Sequence, residues 1–181
     1  MTSGIVRKKK TQALATKTLG KRVGTKRRDM RWESPDGTIW ASRFEWEVFC
    51  GFQERGASVR RTNEQDSMDY EVPVKLATCK GCGSRGVVQT RIYTPDLFIG
   101  EENGEGSGAR GYYAECKGFI RAPRRGLLRS FRQARPAINL RFIFQADYRV
   151  GKGTVMSWCA KYLKCEAFVW KGAASIPKGW L

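Results

Sequence analysis

Tyr93-Thr94-Pro95-Asp96-Leu97-Phe98-Ile99-Gly100 and Gly111-Tyr112-Tyr113-Ala114-Glu115-Cys116-Lys117-Gly118-Phe119 are two apolar runs separated by a Gly- and Glu-rich connection. Strand formers flanking a turn-rich segment predict a β-hairpin with a long loop. Asp96 falls in the first strand of this reading. Glu115 and Lys117 stand two apart in the second, so their side chains leave the same face of the sheet. Two carboxylates and one ammonium then converge on a point. The alternative is a solvent-exposed hairpin on which Glu115 and Lys117 form a surface pair.

The remainder of the chain bears on that choice. It has 181 residues, enough for one domain with tails and a sizeable core. Hydrophobic residues make up 41% and aromatics 12%, which predicts a folded globule. Lys and Arg number 34 against 17 Asp and Glu, for a formal net charge of +17. Such an excess points to a polyanionic partner, nucleic acid first and an anionic membrane surface second. No apolar run reaches the length of a membrane span. The chain contains no histidine. That excludes His-metal, HNH-type and phospholipase-D-type nucleases, together with any His-based acid–base chemistry. A phosphodiester-cleaving site in this chain would rest on carboxylates, lysine and a metal.

Residues 1–28 carry ten Lys or Arg and no acid, Lys8, Lys9 and Lys10 among them. They read as a basic arm, extending to about residue 30, whose phosphate contacts are sequence-independent. A solubilising tail and an organellar transit peptide are the other readings of this acid-poor segment. Ser34-Pro35-Asp36-Gly37 is a turn. Residues 41–55 read as a helix with Phe44, Val48 and Phe52 as its apolar stripe, Glu45 in its first turn and Gly56 as its stop. There Glu45 reads most simply as a solvated acid suited to a helix N-terminus. Strands are expected over 57–62 and 69–78. Cys79-Lys80-Gly81-Cys82, in an insert at about 77–90, is either a plain turn with reduced thiols or half of a zinc site. Cys159 and Cys165 are the candidates for its other half. The six scattered cysteines define no disulfide framework, which fits a reducing, cytoplasmic setting. Residues 121–135 form an amphipathic basic helix ended by Pro136. Its Arg121, Arg124, Arg125, Arg129, Arg132 and Arg135 have the planar forks suited to phosphates. A strand over 138–145, a short helix over 154–164 and a strand over 166–170 complete the pattern.

Pro95-Asp96, a spacer and Glu115-Cys116-Lys117 resemble the PD-(D/E)XK nucleases. Carboxylates hold a hard cation, the cation generates hydroxide and neutralises the leaving oxygen, and the lysine orients water or neutralises charge. Together with Ser42-Arg43-Phe44-Glu45 through Gly56, Leu140-Arg141-Phe142-Ile143-Phe144 and Ile176-Pro177-Lys178-Gly179-Trp180, the pattern is similar to the endonuclease I family of T-odd phages, which are four-way-junction resolvases. The matching stretches span residues 40–181 discontinuously. The resemblance implies an α/β fold, with a restriction-endonuclease-like core over 31–181 whose central mixed sheet is flanked by helices. It also implies an intertwined homodimer. It assigns Asp96, Glu115 and Glu45 to Mg²⁺, with Mn²⁺ as substitute, and Lys117 to catalysis. In the family each site mixes residues from both chains, which would set Glu45 in trans to the other three. The implied substrate is branched double-stranded DNA in the host cytoplasm, if the chain is phage-encoded. A transposon-end or repair endonuclease of the same superfamily and a non-enzymatic basic nucleic-acid-binding protein are the rivals. The chain departs from the family in a longer loop with Glu101, Glu102 and Glu105, in the Cys79/Cys82 insert and in its longer basic arm.

Overall fold

The computed structural model describes residues 21–23, 31–74, 87–101 and 110–181. Lys8, Lys9, Lys10, Glu102, Glu105, Cys79 and Cys82 lie outside the described residues, so the arm contacts and the zinc knuckle stay as sequence expectations.

The chain forms two compact units, Met1–Ala41 and Ser42–Leu181. In the first, β1 (Lys21–Val23), β2 (Arg31–Glu33) and β3 (Ile39–Trp40) pair antiparallel in sequence order. The β2–β3 turn is the expected Ser-Pro-Asp-Gly, with the Gly37 N–H donating to the Ser34 carbonyl at 2.9 Å. Gly37 has φ +82°, a conformation that glycine adopts without strain. β2 pairs with β1 on one side and with β3 on the other, and the first unit ends just after β3.

In the second unit, α1 (Arg43–Glu54) begins at Ser42, whose hydroxyl accepts the Glu45 N–H at 3.2 Å. Phe44, Val48 and Phe52 are buried as the apolar stripe requires. Gly56, at φ +74°, turns the chain out of the helix. A methyl group at position 51 would overlap the Trp170 ring, so only glycine allows that approach. There follow β4 (Val59–Arg61), β5 (Met68–Val74), β6 (Val87–Tyr93), β7 (Leu97–Glu101), β8 (Arg110–Lys117), α2 (Ala122–Ala134), β9 (Leu140–Phe144), β10 (Arg149–Val150), β11 (Gly153–Thr154), α3 (Val155–Trp158) and β12 (Ala167–Val169). Residues 154–164, expected to be a plain short helix, are instead the single α-helical turn of α3 continued by a π-helical turn, Cys159–Leu163. Lys164 closes it at φ +53°.

The centre is a mixed five-stranded sheet in the order β12-β9-β8-β7-β4. β7 and β8 form the expected antiparallel hairpin, while β9 lies parallel to β8 and β12 parallel to β9. Parallel neighbours need a crossover, and α2 supplies it between β8 and β9. β5 and β6 make a separate antiparallel ribbon. This is a mixed α/β architecture with helices against a central mixed sheet. Along β8 and β9, Tyr113, Glu115 and Lys117 stand opposite Leu140, Phe142 and Phe144 and share their face. Leu140, Phe142 and Phe144 enter one core cluster with Leu128 and Phe131 of α2 and with Tyr70 and Tyr93 of the ribbon. α1 packs against β8 and β4. Asp96 lies just before β7 rather than within it. Pro95 has no N–H to give a ladder, so regular pairing starts after it.

Candidate functional site

The hairpin brings the sequence-predicted residues together. Asp96 Oδ2 accepts the Cys116 N–H at 2.7 Å and the Lys117 ammonium at 2.9 Å. Lys117 Nζ also lies 3.0 Å from Glu115 Oε1, so one ammonium bridges two carboxylates. Glu115 is only 1% exposed, near the C-terminal end of the central strand β8. The solvent-exposed surface pair is therefore not what the fold contains. The other Glu115 oxygen, Oε2, accepts the Tyr93 hydroxyl at 2.8 Å, and Tyr93 is itself buried. Arg124, from the first turns of α2, reaches to 3.9 Å of Glu115 Oε1 and lies 5.8 Å over the Tyr93 ring.

Glu45 is buried too, not solvated. Burial first, and then the charge of Asp96, raises its pKa to about 7, with Lys117 and Arg61 opposing the rise. Within the chain its electrostatic neighbours are Asp96, Lys117, Arg61 and Glu115, because α1 packs directly on β8 and β4 of one sheet. Burial and the adjacent Asp96 also push the Glu115 carboxyl up. Burial pulls the Lys117 ammonium down, but Glu115 and Asp96 more than offset this and hold it above the ordinary lysine value. At neutral pH Lys117 is a fixed cation and not a base.

Among the described residues no three His, Cys, Asp or Glu side chains form a ready metal-binding group. Asp96 and Glu115 gather instead around Lys117. The hard oxygen donors of this partly buried carboxylate cluster still suit Mg²⁺. That ion keeps several waters and takes one or two carboxylates plus substrate phosphate rather than an all-protein cage.

The arginines of α2 divide. Arg121 is exposed at the N-cap, and Arg129 lies 5.8 Å over the Tyr162 ring. Arg125 spends one guanidinium N–H on the Ile120 carbonyl at 2.9 Å. Arg132 corrects the expectation of a phosphate contact. Its guanidinium donates to the carbonyls of Leu163 at 3.0 Å, Ile138 at 2.6 Å, Arg135 at 3.2 Å and Pro136 at 3.3 Å. It ties the α2 C-terminus to the segments that follow. Arg135 is likewise engaged, with the Asp69 carboxylate at 2.7 Å. Cys159 and Cys165 are buried thiols whose pKa burial raises to about 12 and about 11.

Tyr93 and the Glu115-directed placement of Arg124 are absent from the sequence reading. A tyrosine in a buried run needs a partner for its hydroxyl. That signal could have singled out Tyr93, but no spacing rule points it at Glu115 on another strand.

No family model, curated protein or solved structure matches this chain. Among the described residues no helix is long and apolar enough to cross a membrane.

Proposed function

We propose that the chain is a divalent-metal-dependent DNA endonuclease with a restriction-endonuclease-like core, acting on four-way and other branched junctions as a homodimer. One observation carries the reading: buried Glu115 and adjacent Asp96 share Lys117 at about 3 Å, with Glu45 near enough for its pKa to rise to about 7. A surface ion pair needs neither that burial nor a third acid. Perturbed acids clustered around a fixed cation are a common mark of a working site.

Asp96 and Glu115 would hold Mg²⁺, and Glu45 would complete the set. When bound, the ion activates a water and neutralises charge at phosphorus. Lys117 stays protonated and offsets charge on the phosphate. Tyr93 fixes the Glu115 carboxylate through Oε2, leaving Oε1 facing Lys117 and Arg124. The products would carry 5′-phosphates. A four-way junction has two-fold symmetry, so paired cuts call for two sites in a C₂ dimer.

The test incubates the full chain with a synthetic four-way junction and with linear duplex of the same sequence, with and without Mg²⁺. Cleavage of the junction alone, and only with Mg²⁺, is the expected result. Equal cutting of linear duplex would favour the repair or transposon-end reading. No cutting with either Mg²⁺ or Mn²⁺ would leave a non-enzymatic nucleic-acid-binding protein.

A further inference from the structure

A second concavity lies on another part of α2. Its volume is about 650 Å³, within the roughly 300–1,000 Å³ of small-ligand sites. One wall is α2, with Arg125 and Arg129. Another is the β10–β11 turn, with Lys152, and the third is the α3 and π-helical segment, with Trp158, Lys161 and Tyr162. Among the described residues no carboxylate lines it, so four cations face one cleft without an acid among them. Like charges gathered this way repel one another and favour an anionic ligand. The aromatic element is equally placed. Tyr162 is 46% exposed and has Arg129 at 5.8 Å and Lys161 at 5.2 Å from its ring centroid. Trp158 stands behind it, with ring centroids 6.2 Å apart. The turn that brings Lys152 in opens on Gly151 at φ +60°, the left-handed conformation of a tight two-residue hairpin.

A half-exposed ring ringed by cations matches a ligand that is both planar and anionic. We propose that this cleft holds an unpaired nucleotide of a DNA strand, with its base stacked on Tyr162 and its flanking phosphates on Arg125, Arg129, Lys152 and Lys161. Bases inside a duplex cannot stack on Tyr162, because each is already paired and stacked between its neighbours. The inference rests on DNA as the partner but not on the carboxylate chemistry.

The experiment measures binding of a fluorescent oligothymidylate, and of a fully paired hairpin duplex, to the full chain without divalent cations, so that loss of cleavage cannot affect the result. Tyr162→Ala should weaken the oligothymidylate by about tenfold and the duplex by less than about twofold. Tyr162→Phe, which keeps the ring, should bind both as the parent does. Replacing Lys152 and Lys161 by Ala together should flatten the salt dependence of single-strand binding by roughly one to two log units per log unit of salt. Lys152→Ala and Lys161→Ala alter exposed side chains and keep the test valid if Tyr162→Ala does not fold. Unchanged single-strand binding in the Tyr162→Ala and lysine variants would overturn the proposal, as would equal losses on both probes. Thymidine monophosphate is the third probe. It should not displace the oligothymidylate at comparable concentrations, and displacement lost in Tyr162→Ala would assign the cleft to free nucleotides instead.

Discussion

At the scale of the residue, Glu45 and Tyr93 set the chemistry. The folded chain raises the Glu45 pKa from about 4.5 to about 7, so between those values the folded state holds more proton than the unfolded one. Stability from this group is therefore fully present below about pH 4.5 and is lost as pH rises to about 7, a change on the order of 3 kcal/mol. Denaturant unfolding at about pH 5 and about pH 8 without divalent ions should show the parent losing stability across that interval. Glu45→Gln should lose much less, and an equal loss in both would remove Glu45 as its source. Adding Mg²⁺ at the higher pH should restore part of the loss in the parent, since ligand binding to the folded state stabilises it. Tyr93→Phe leaves the buried Glu115 Oε2 without its donor. A buried acceptor stripped of its partner costs about 1–3 kcal/mol. Junction cleavage should fall with it, by roughly an order of magnitude, and the rate should recover with rising pH as the less-restrained Glu115 ionises. Parent-like rates in Tyr93→Phe would show that the hydroxyl does not position the carboxylate.

At the scale of the element, α2 does two jobs with one residue type. Arg132 is a fastener, bonded to four carbonyls, whereas Arg124 points toward Glu115. Arg132→Ala should lower stability by about 2–3 kcal/mol and leave the salt dependence of DNA binding intact. Arg124→Ala should leave thermal stability nearly unchanged and slow cleavage. Reversal of those two outcomes would exchange the roles. This division also shows what the sequence made legible. The hairpin, the α1 stripe of Phe44, Val48 and Phe52, and the spacing of Glu115 and Lys117 follow from periodicity, which is local. The fastening role of Arg132 depends on where Leu163 and Ile138 return in space, and composition carries no trace of that. The burial of Glu45 escapes a local reading for the same reason. A helix N-terminus with a glutamate is a favourable solvated arrangement by itself, and only the packing of α1 on β8 buries it.

At the scale of the whole molecule, the cluster gathers Glu45, Asp96, Glu115 and Lys117 from one chain. Glu45→Ala and Glu115→Ala chains, co-refolded so that mixed dimers form, should stay inactive, because each site of the mixed dimer keeps one lesion. Single-strand nicking of the junction by the mixture would instead require Glu45 to act across the dimer. The mixed sheet sets one more condition. β8 gains β7 from the immediately preceding chain, but its other neighbour, β9, arrives only after α2. During translation the hairpin can close as soon as it leaves the ribosome, while Glu115 remains bare on one flank until residues 140–144 emerge. A chain that stops short of them would carry the arginines of α2 without an enclosed carboxylate cluster. If the proposed function holds, interrupted synthesis would then yield a fragment that adheres to DNA but cannot cut it.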